Sequence, residues 1–203
     1  ILLGATTFMG WHASHVKLSY EFSRAIPTDN PKYKTYQEFR KKFGEDGNLL
    51  VIGIQTKDIF QQPVFIDYLK LQDNIKKTSG VEDVIAMPGA INLIKDSATE
   101  KLQAKNIFNN PSSQEQIDSS KTVFYNLPFY KGLLYNLQTD AWLMGVRVNN
   151  DVLSSEKRTV VVGEISRLAN VFGTTHKIEM HLSGLPLIRT ELASRIAKET
   201  KWF

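Results

Sequence analysis

One pattern restricts this chain more than any other: strand, helix, strand, read twice in the same order. Residues 49–54, Leu-Leu-Val-Ile-Gly-Ile, form an unbroken apolar run between Gly47-Asn48 and Thr56-Lys57-Asp58. Such a run predicts a strand buried on both faces. Residues 63–78 follow, with Phe65, Tyr68, Leu69, Leu71 and Ile75 on one helical stripe, Pro63 in the first turn and Gly80 at the stop. A short strand over 81–87 then ends at Pro88 and Gly89.

The second occurrence opens on the clearest alternation in the chain. In Ala141–Val148, Trp142, Met144, Val146 and Val148 share one face, while Leu143, Gly145 and Arg147 share the other. A turn at Asn149, Asn150 and Asp151 leads into a helix whose Val161, Ile165, Leu168 and Phe172 are spaced four, three and four, with Gly173 predicted as its C-terminal cap. Residues 177–183 alternate again, with Ile178, Met180 and Leu182 facing inward before Gly184 and Pro186.

Two such halves predict an α+β fold of the ferredoxin-like split βαβ kind, a four-stranded sheet with two helices on one face. The halves span 48–89 and 141–184, with an insertion over 90–140. The insertion carries turn residues at Asn109, Asn110, Pro111, Ser112 and Ser113, a helix over Gln114–Tyr125, and the aromatics Phe124, Tyr125, Phe129, Tyr130 and Tyr135. Segments longer than about 12 to 15 residues inside a compact domain carry function or structure of their own.

A chain of 203 residues, 42% hydrophobic and 23% charged, can bury a core, which removes the disordered and low-complexity classes. It has no Cys, so disulfide scaffolds, thiolate nucleophiles, zinc ribbons and iron–sulfur ligation are all excluded. Lys and Arg total 25 against 21 Asp and Glu, and the two signs are interleaved. The longest basic cluster, Arg40, Lys41 and Lys42, is followed by Glu45 and Asp46 and suits the C-terminal end of a helix better than a nucleic-acid face.

No catalytic motif stands out. His12 and His15 lie near the start, and His176 and His181 flank a strand, but neither pair has a third ligand nearby in sequence. Phosphate-binding glycine loops and a nucleophile elbow are missing, so no cofactor or metal is expected. The RNA-recognition domain shares the βαββαβ order, yet it stacks bases on aromatics of its central strands. Here the first strand has none and the third only Trp142, so no nucleic-acid partner is expected.

The ends look membrane-adjacent. Ile1, Leu2, Leu3, Gly4, Ala5, Thr6, Thr7, Phe8, Met9, Gly10 and Trp11 are apolar but fall short of the roughly 20 residues of a spanning helix. Residues 1–24 read as the outer end of a first transmembrane helix and a juxtamembrane segment, with Trp11 at the interface; an ordinary buried helix or strand is the competing reading. Residues 187–203 read as an exit helix, with Ile188, Leu192 and Ile196 spaced by four, stopping at Lys201, Trp202 and Phe203. Trp202 and Phe203 are interface candidates by the same reasoning, or they simply close a core.

Further motifs then fall in order. Ala25, Ile26, Pro27, Thr28, Asp29, Asn30 and Pro31 precede a helix with Tyr36, Phe39 and Phe43, and Phe43-Gly44 stands just before Leu49. Asn30 can cap that helix, with Pro31 in its first turn. Ser79, Gly80, Val81, Glu82, Asp83 and Val84 form the turn into the second strand, and Leu182, Ser183, Gly184, Leu185 and Pro186 precede the exit helix. In these features the chain resembles the extracytoplasmic porter domain of the resistance-nodulation-division (RND) superfamily, in its MMPL-like branch of exporters.

The resemblance implies a single porter-type domain over 25–203, facing the periplasm from a bacterial inner membrane and joined to flanking transmembrane helices. It implies no covalent chemistry, an apolar or lipid-like substrate, and a second porter domain of the same transporter or another subunit as neighbour. Phe129, Tyr130 and Trp142 are the candidate wall residues of the substrate path, with core packing as the competing role. The membrane helices and proton-coupling acids of that family are not in these residues. The alternative is a periplasmic or secreted α+β domain that docks a protein through a sheet edge or the insertion.

Overall fold

A computed structural model describes residues 2–13, 27, 29–43, 47–96 and 100–199. His15, Ala25, Ile26, Thr28, Gly44, Trp202 and Phe203, which figure in the sequence reading, lie outside the described residues. Two compact units divide the chain, Ile1–Gly44 and Glu45–Phe203.

The first unit contains α1 (Leu2–Ala13) and α2 (Pro31–Phe43). Residues 3–12 of α1 are all exposed, with Leu3 at 85%, Phe8 at 64% and Met9 at 71%. The helix has apolar side chains on every side, so it has no preferred face to bury. Its Thr7 hydroxyl donates back to the Leu3 carbonyl at 2.7 Å, which satisfies that polar group within the helix. No helix among the described residues is long and apolar enough to cross a membrane. Helix α2 begins as its sequence predicts: Asn30 Oδ1 accepts from the Lys32 N–H at 2.9 Å, and Pro31 occupies the first turn.

The second unit is an α+β arrangement with two antiparallel sheets. Its elements are β1 (Leu49–Gln55), α3 (Gln62–Lys77), β2 (Val81–Ile85), β3 (Ile91–Lys95), β4 (Leu102–Asn106), α4 (Gln114–Tyr125), β5 (Tyr135–Asn136), β6 (Ala141–Val148), α5 (Asn150–Leu153), α6 (Lys157–His176), β7 (Glu179–Ser183) and α7 (Leu185–Glu199). The main sheet has the order β2-β6-β1-β7, with β5 added to β6. β1 pairs antiparallel with both neighbours, Leu50 opposite Val146 and Ile52 opposite Leu182.

One face of this sheet makes the core. Leu50, Ile52 and Ile54 of β1 and Trp142, Met144, Val146 and Val148 of β6 are buried under α3 and α6. Those helices contribute Phe65, Tyr68, Leu71 and Ile75, and Val161, Ile165, Ala169 and Phe172, the spacing that an amphipathic helix needs to lay one stripe on a sheet. Each such side chain contributes about 1.5–3 kcal/mol relative to leaving it exposed. Here the expectation for residues 49–54 is corrected. Leu49, Val51 and Gly53 are not buried, because the helix layer covers only one side of the sheet.

Gly173 is also corrected. Helix α6 runs on through it to His176, and Lys177 takes the left-handed conformation at φ 54°, its N–H bonded to the Gly173 carbonyl. Gly173 is buried where β7 crosses close by: a Cβ there would collide with the Met180 side chain and lie 2.8 Å from the Ile178 carbonyl oxygen. Close approach, not helix termination, is what this glycine provides.

The insertion builds its own structure. β3 and β4 form a separate two-stranded ribbon, and α4 packs Ile117 and Phe124 against the core, with Ser113 Oγ accepting from the Gln116 N–H at its start. Gln114 ties α4 to the beginning of α3, accepting from the Gln62 N–H at 2.8 Å and donating to the Phe60 carbonyl at 2.9 Å. The registers fix where this insertion lies. Val51 faces Ser183, so the chain enters β1 and leaves β7 at one end of the sheet, whereas Gln55, Ala141 and Glu179 meet at the other. β2 is antiparallel to β6 and so runs alongside β1 in the same direction. The chain therefore leaves β2 level with Gly145, heading away from residues 47 and 185, and the insertion rejoins the sheet at the far end, at Ala141.

Candidate functional site

The face of the main sheet turned away from α3 and α6, on which no described element of the second unit packs, is the feature that ordinary packing does not explain. Reading across the pairing, Arg147 faces Leu49, Gly145 lies between Val51 and Ile85, and Leu143 faces Gly53, which in turn faces His181. All of these side chains stand on the side away from α3 and α6, because side chains alternate along a strand. Leu49 is 46% exposed and Ile85 48%, with Val51 and Leu143 half-buried between them. A one-sided sheet usually shows polar residues to water. This one shows an apolar strip.

Two glycines keep the strip flat. A Cβ on Gly53 would sit 3.4 Å from the His181 Cβ and 3.9 Å from Leu143 Cδ2, and one on Gly145 would sit 3.4 Å from Leu49 Cδ1. Leu143 and Leu49 thus lean over the space that the missing side chains leave. The strip has charged margins: Arg147 pairs with Asp83 at 3.5 Å toward β2, and His181 approaches Glu179 at 3.6 Å on β7. Such a face can hold an apolar surface or alkyl chain by burial, and its margins can meet polar groups. The signal for it in the sequence is a glycine inside each central strand, at 53 and 145, positions that add no side chain to this face.

Of the three candidate wall residues, only Phe129 has an exposed ring, at 72%. Tyr130 is buried, and its hydroxyl donates to the Ile91 carbonyl at 2.7 Å and accepts from the Ile91 N–H at 2.9 Å. Trp142 is buried too; its Nε1–H donates to the Thr56 carbonyl at 3.0 Å, and its ring lies between Phe60 and Tyr135 at 5.2 and 5.7 Å. Both take the core role. They belong to an aromatic cluster with Phe108, Phe124 and Tyr125 that seats the insertion on the far end of the sheet. Burial pushes the Tyr125 hydroxyl up to about 12, with Tyr135 and Asp140 adding to the shift. Trp11 is exposed at 60% on α1, edge-on to His12 at 5.0 Å.

Grooves also run along the outer side of α3 and α6. One of about 720 Å³ is lined by Lys77, Lys157, Val160 and Leu168 among others, and a smaller one of about 240 Å³ contains Asp67, Lys70 and His176. His176 Nε2 lies 3.0 Å from Asp67 Oδ2. The Lys70 hydrogen bond holds the Asp67 carboxyl below its ordinary range; partial burial opposes this, and the His176 contact adds to it. Among the described residues no three His, Asp or Glu side chains are grouped so as to hold a metal ion.

No family model matches the chain. It is similar to MJ1562 of Methanocaldococcus jannaschii, a protein provisionally described as a membrane protein, at 28% identity over 142 residues, covering 59% of this chain. The match spans about a third of that relative's length, 36%.

Proposed function

We propose that this chain is the extracytoplasmic domain of a membrane transporter of the RND type, in the MMPL-like branch, and that it forms part of the path of an apolar or amphipathic, lipid-like substrate. The observation that carries the reading is α1. Twelve residues of helix, about 18 Å long, present apolar side chains in every direction with none of residues 3–12 buried. An isolated helix of that length is marginal in water. Hydrocarbon favours such a surface and penalises an unbonded hydroxyl, and the Thr7 hydroxyl is already bonded within the helix.

Two further observations support it. The strand order β2-β6-β1-β7, with a helix after β1 and another after β6, is what a ferredoxin-like split βαβ sheet requires, and that is the fold of a porter domain. The similarity to a protein described as belonging to a membrane points the same way. In this reading the apolar strip of Leu49, Val51, Leu143 and Ile85, not the buried aromatics, is the wall along which substrate moves. The domain faces outward from the cytoplasmic membrane, binding and guiding rather than transforming what passes.

The test uses the absence of Cys in these residues. In a cysteine-free version of the full-length protein, Leu143→Cys and Leu3→Cys are introduced singly and treated in intact cells with a membrane-impermeant maleimide. Labelling at position 143 with protection at position 3 is the expected pattern. Labelling at 143 only after cell lysis would sink the outward-facing placement, and free labelling at position 3 would sink the membrane role of α1. Photo-reactive fatty acid cross-linking to the open sheet face, absent when Val51→Asp is introduced, would connect the wall to its substrate.

A further inference from the structure

The ribbon of β3 and β4 pairs with no other described strand of the second unit. Every residue of β4 is exposed, as are Ile91, Leu93, Ile94 and Lys95 of β3. Its pairing sets Ile91 opposite Asn106, Leu93 opposite Ala104 and Lys95 opposite Leu102, so Ile91, Leu93, Leu102 and Ala104 make one apolar face. A two-stranded ribbon with a bare apolar face is marginal in water. It also has two edges, and they are not equivalent.

In an antiparallel pair, residues alternate between bonding inward to the partner and pointing their N–H and C=O outward. Ile107 bonds to Ala90 and Asp96 bonds to Lys101, which sets the inward positions at both ends of the ribbon. Ile91 must then point outward, and it does: both its N–H and its C=O are bonded to the Tyr130 hydroxyl, which stands where a neighbouring strand would be. Tyr130 seals the start of the β3 edge. On β4 the outward positions are Leu102, Ala104 and Asn106, and among the described residues no group covers them. Natural edges are protected by proline, by bulges, by shortness or by charged side chains, lysine above all; β4 has neither proline nor bulge, and its one charge is Lys105.

We propose that the free edge of β4 is a strand-addition site for an extended segment of a partner protein in which apolar and acidic residues alternate. The backbone groups of Leu102, Ala104 and Asn106 supply the ladder, and Leu102 with Ala104 supplies apolar contact on one face. Lys105 projects from the other face, and Lys101 stands at the strand's start. Lys95 is paired with Glu100 at 3.6 Å, whereas neither Lys101 nor Lys105 has a carboxylate partner among the described residues. Those two ammonium groups select acidic side chains. The occupant is protein because Tyr130, which holds Ile91 at the start of the ribbon, packs through Phe124 on Tyr135, and Tyr135 pairs with Trp142 toward the end of the sheet opposite residues 47 and 185, where the chain enters and leaves it. Only this choice of protein over lipid borrows the membrane's side from the transport reading; the free edge does not depend on it.

The experiment follows backbone amide signals of the 203-residue chain by NMR as a blocked nine-residue peptide of alternating glutamate and valine is added. Shifts and slowed hydrogen exchange at Leu102, Ala104 and Asn106 are expected, without change at β1. Ala104→Pro removes one outward N–H at a position where an edge tolerates proline, so it abolishes the response while the cross-strand contacts of β3 with β4 persist. Lys105→Glu weakens the peptide by roughly tenfold. Equal response in Ala104→Pro, or none at wild type up to about 2 mM, overturns the site. Equal binding of a lysine–valine peptide overturns the acidic partner. A dimer of the chain itself that Ala104→Pro dissolves, or binding of the ribbon to phosphatidylglycerol vesicles, overturns the choice of occupant.

Discussion

The two sheets of the second unit use the same antiparallel hydrogen bonding and have opposite fates. The main sheet lies under two helices, and its inner face is buried from Leu50 to Val148. The ribbon of β3 and β4 has no residue buried at all. Hydrogen bonds alone exchange protein partners for water at a small net gain, so the main sheet owes its stability to the side chains beneath it. The ribbon is held by its base, where Phe108 enters the core and the Tyr130 hydroxyl clamps Ile91. A segment kept in shape without burying its own apolar face is poised to bury it against something else.

The comparison breaks first in the core. Phe65 is fully buried, stacked on Phe60 at 6.2 Å and tilted against Phe108 at 4.9 Å. Phe65→Ala should lower unfolding free energy by about 3–5 kcal/mol, read as a shift in the urea midpoint. Because Phe108 roots the ribbon, hydrogen exchange should quicken in β1 and in the ribbon together. If the ribbon alone loosened, the shared-core account would be wrong.

Tyr130→Phe is smaller and more selective. It keeps the ring in the aromatic cluster and removes only the hydroxyl that bonds both polar groups of Ile91. The expected cost is about 1–2 kcal/mol. Amides of β3 and β4 should exchange faster while those of β1 and β6 stay as they are. Equal loss in both sheets would mean that the clamp does not act on the ribbon.

What the sequence could reveal follows the same line. Ala141–Val148 and Gln114–Tyr125 appear with the limits their patterns predict, because each has one buried face and therefore a period to read. β3 and β4 had no such mark within the insertion, since strands exposed on both sides leave no alternation, and β5, with Tyr135 buried and Asn136 exposed, is only two residues long. Gly173 was misread because the sequence does not record that Met180 crosses above it. The open face of the sheet was hidden for a related reason. The run 49–54 is apolar on both sides, and only the position of the helix layer tells which side stays uncovered. Trp142 and Tyr130 attracted attention as aromatics, yet their hydrogen bonds to Thr56 and Ile91 belong to packing.

Electrostatics should contribute less than either core or clamp. Asp67 lies on α3 with Lys70 at 2.8 Å and His176 at 3.0 Å, and its side chain is 37% exposed. Its carboxyl is held below the ordinary value, so the folded state binds that proton less readily than the unfolded chain. The resulting stabilisation is fully present above about pH 4 and fades as pH falls through the lowered value. Solvent screening keeps it under about 1 kcal/mol. Stability of wild type and Asp67→Asn, measured by urea unfolding from pH 7 down to pH 2, should differ slightly at the top and converge at the bottom. A gap that widened on acidification would reverse the assignment.

The smallest expected effect is the most informative about the ribbon. Leu93 is a large apolar residue at 60% exposure, opposite Ala104 on the bare face. Leu93→Ser gives up almost no burial, because there is little to give up, and the surrounding ladder bonds through Asn92 and Ile94 are untouched. Unfolding free energy should stay within about 0.5 kcal/mol of wild type. The same change on the main sheet's inner face, Ile52→Ser, removes a fully buried side chain and leaves a hydroxyl in its place, so it should cost several kcal/mol. If Leu93→Ser destabilised the isolated chain appreciably, its side chain would already be packed in solution and the ribbon would have no face left to offer. If stability is unchanged while peptide binding at the β4 edge weakens, Leu93 serves a partner and not the fold.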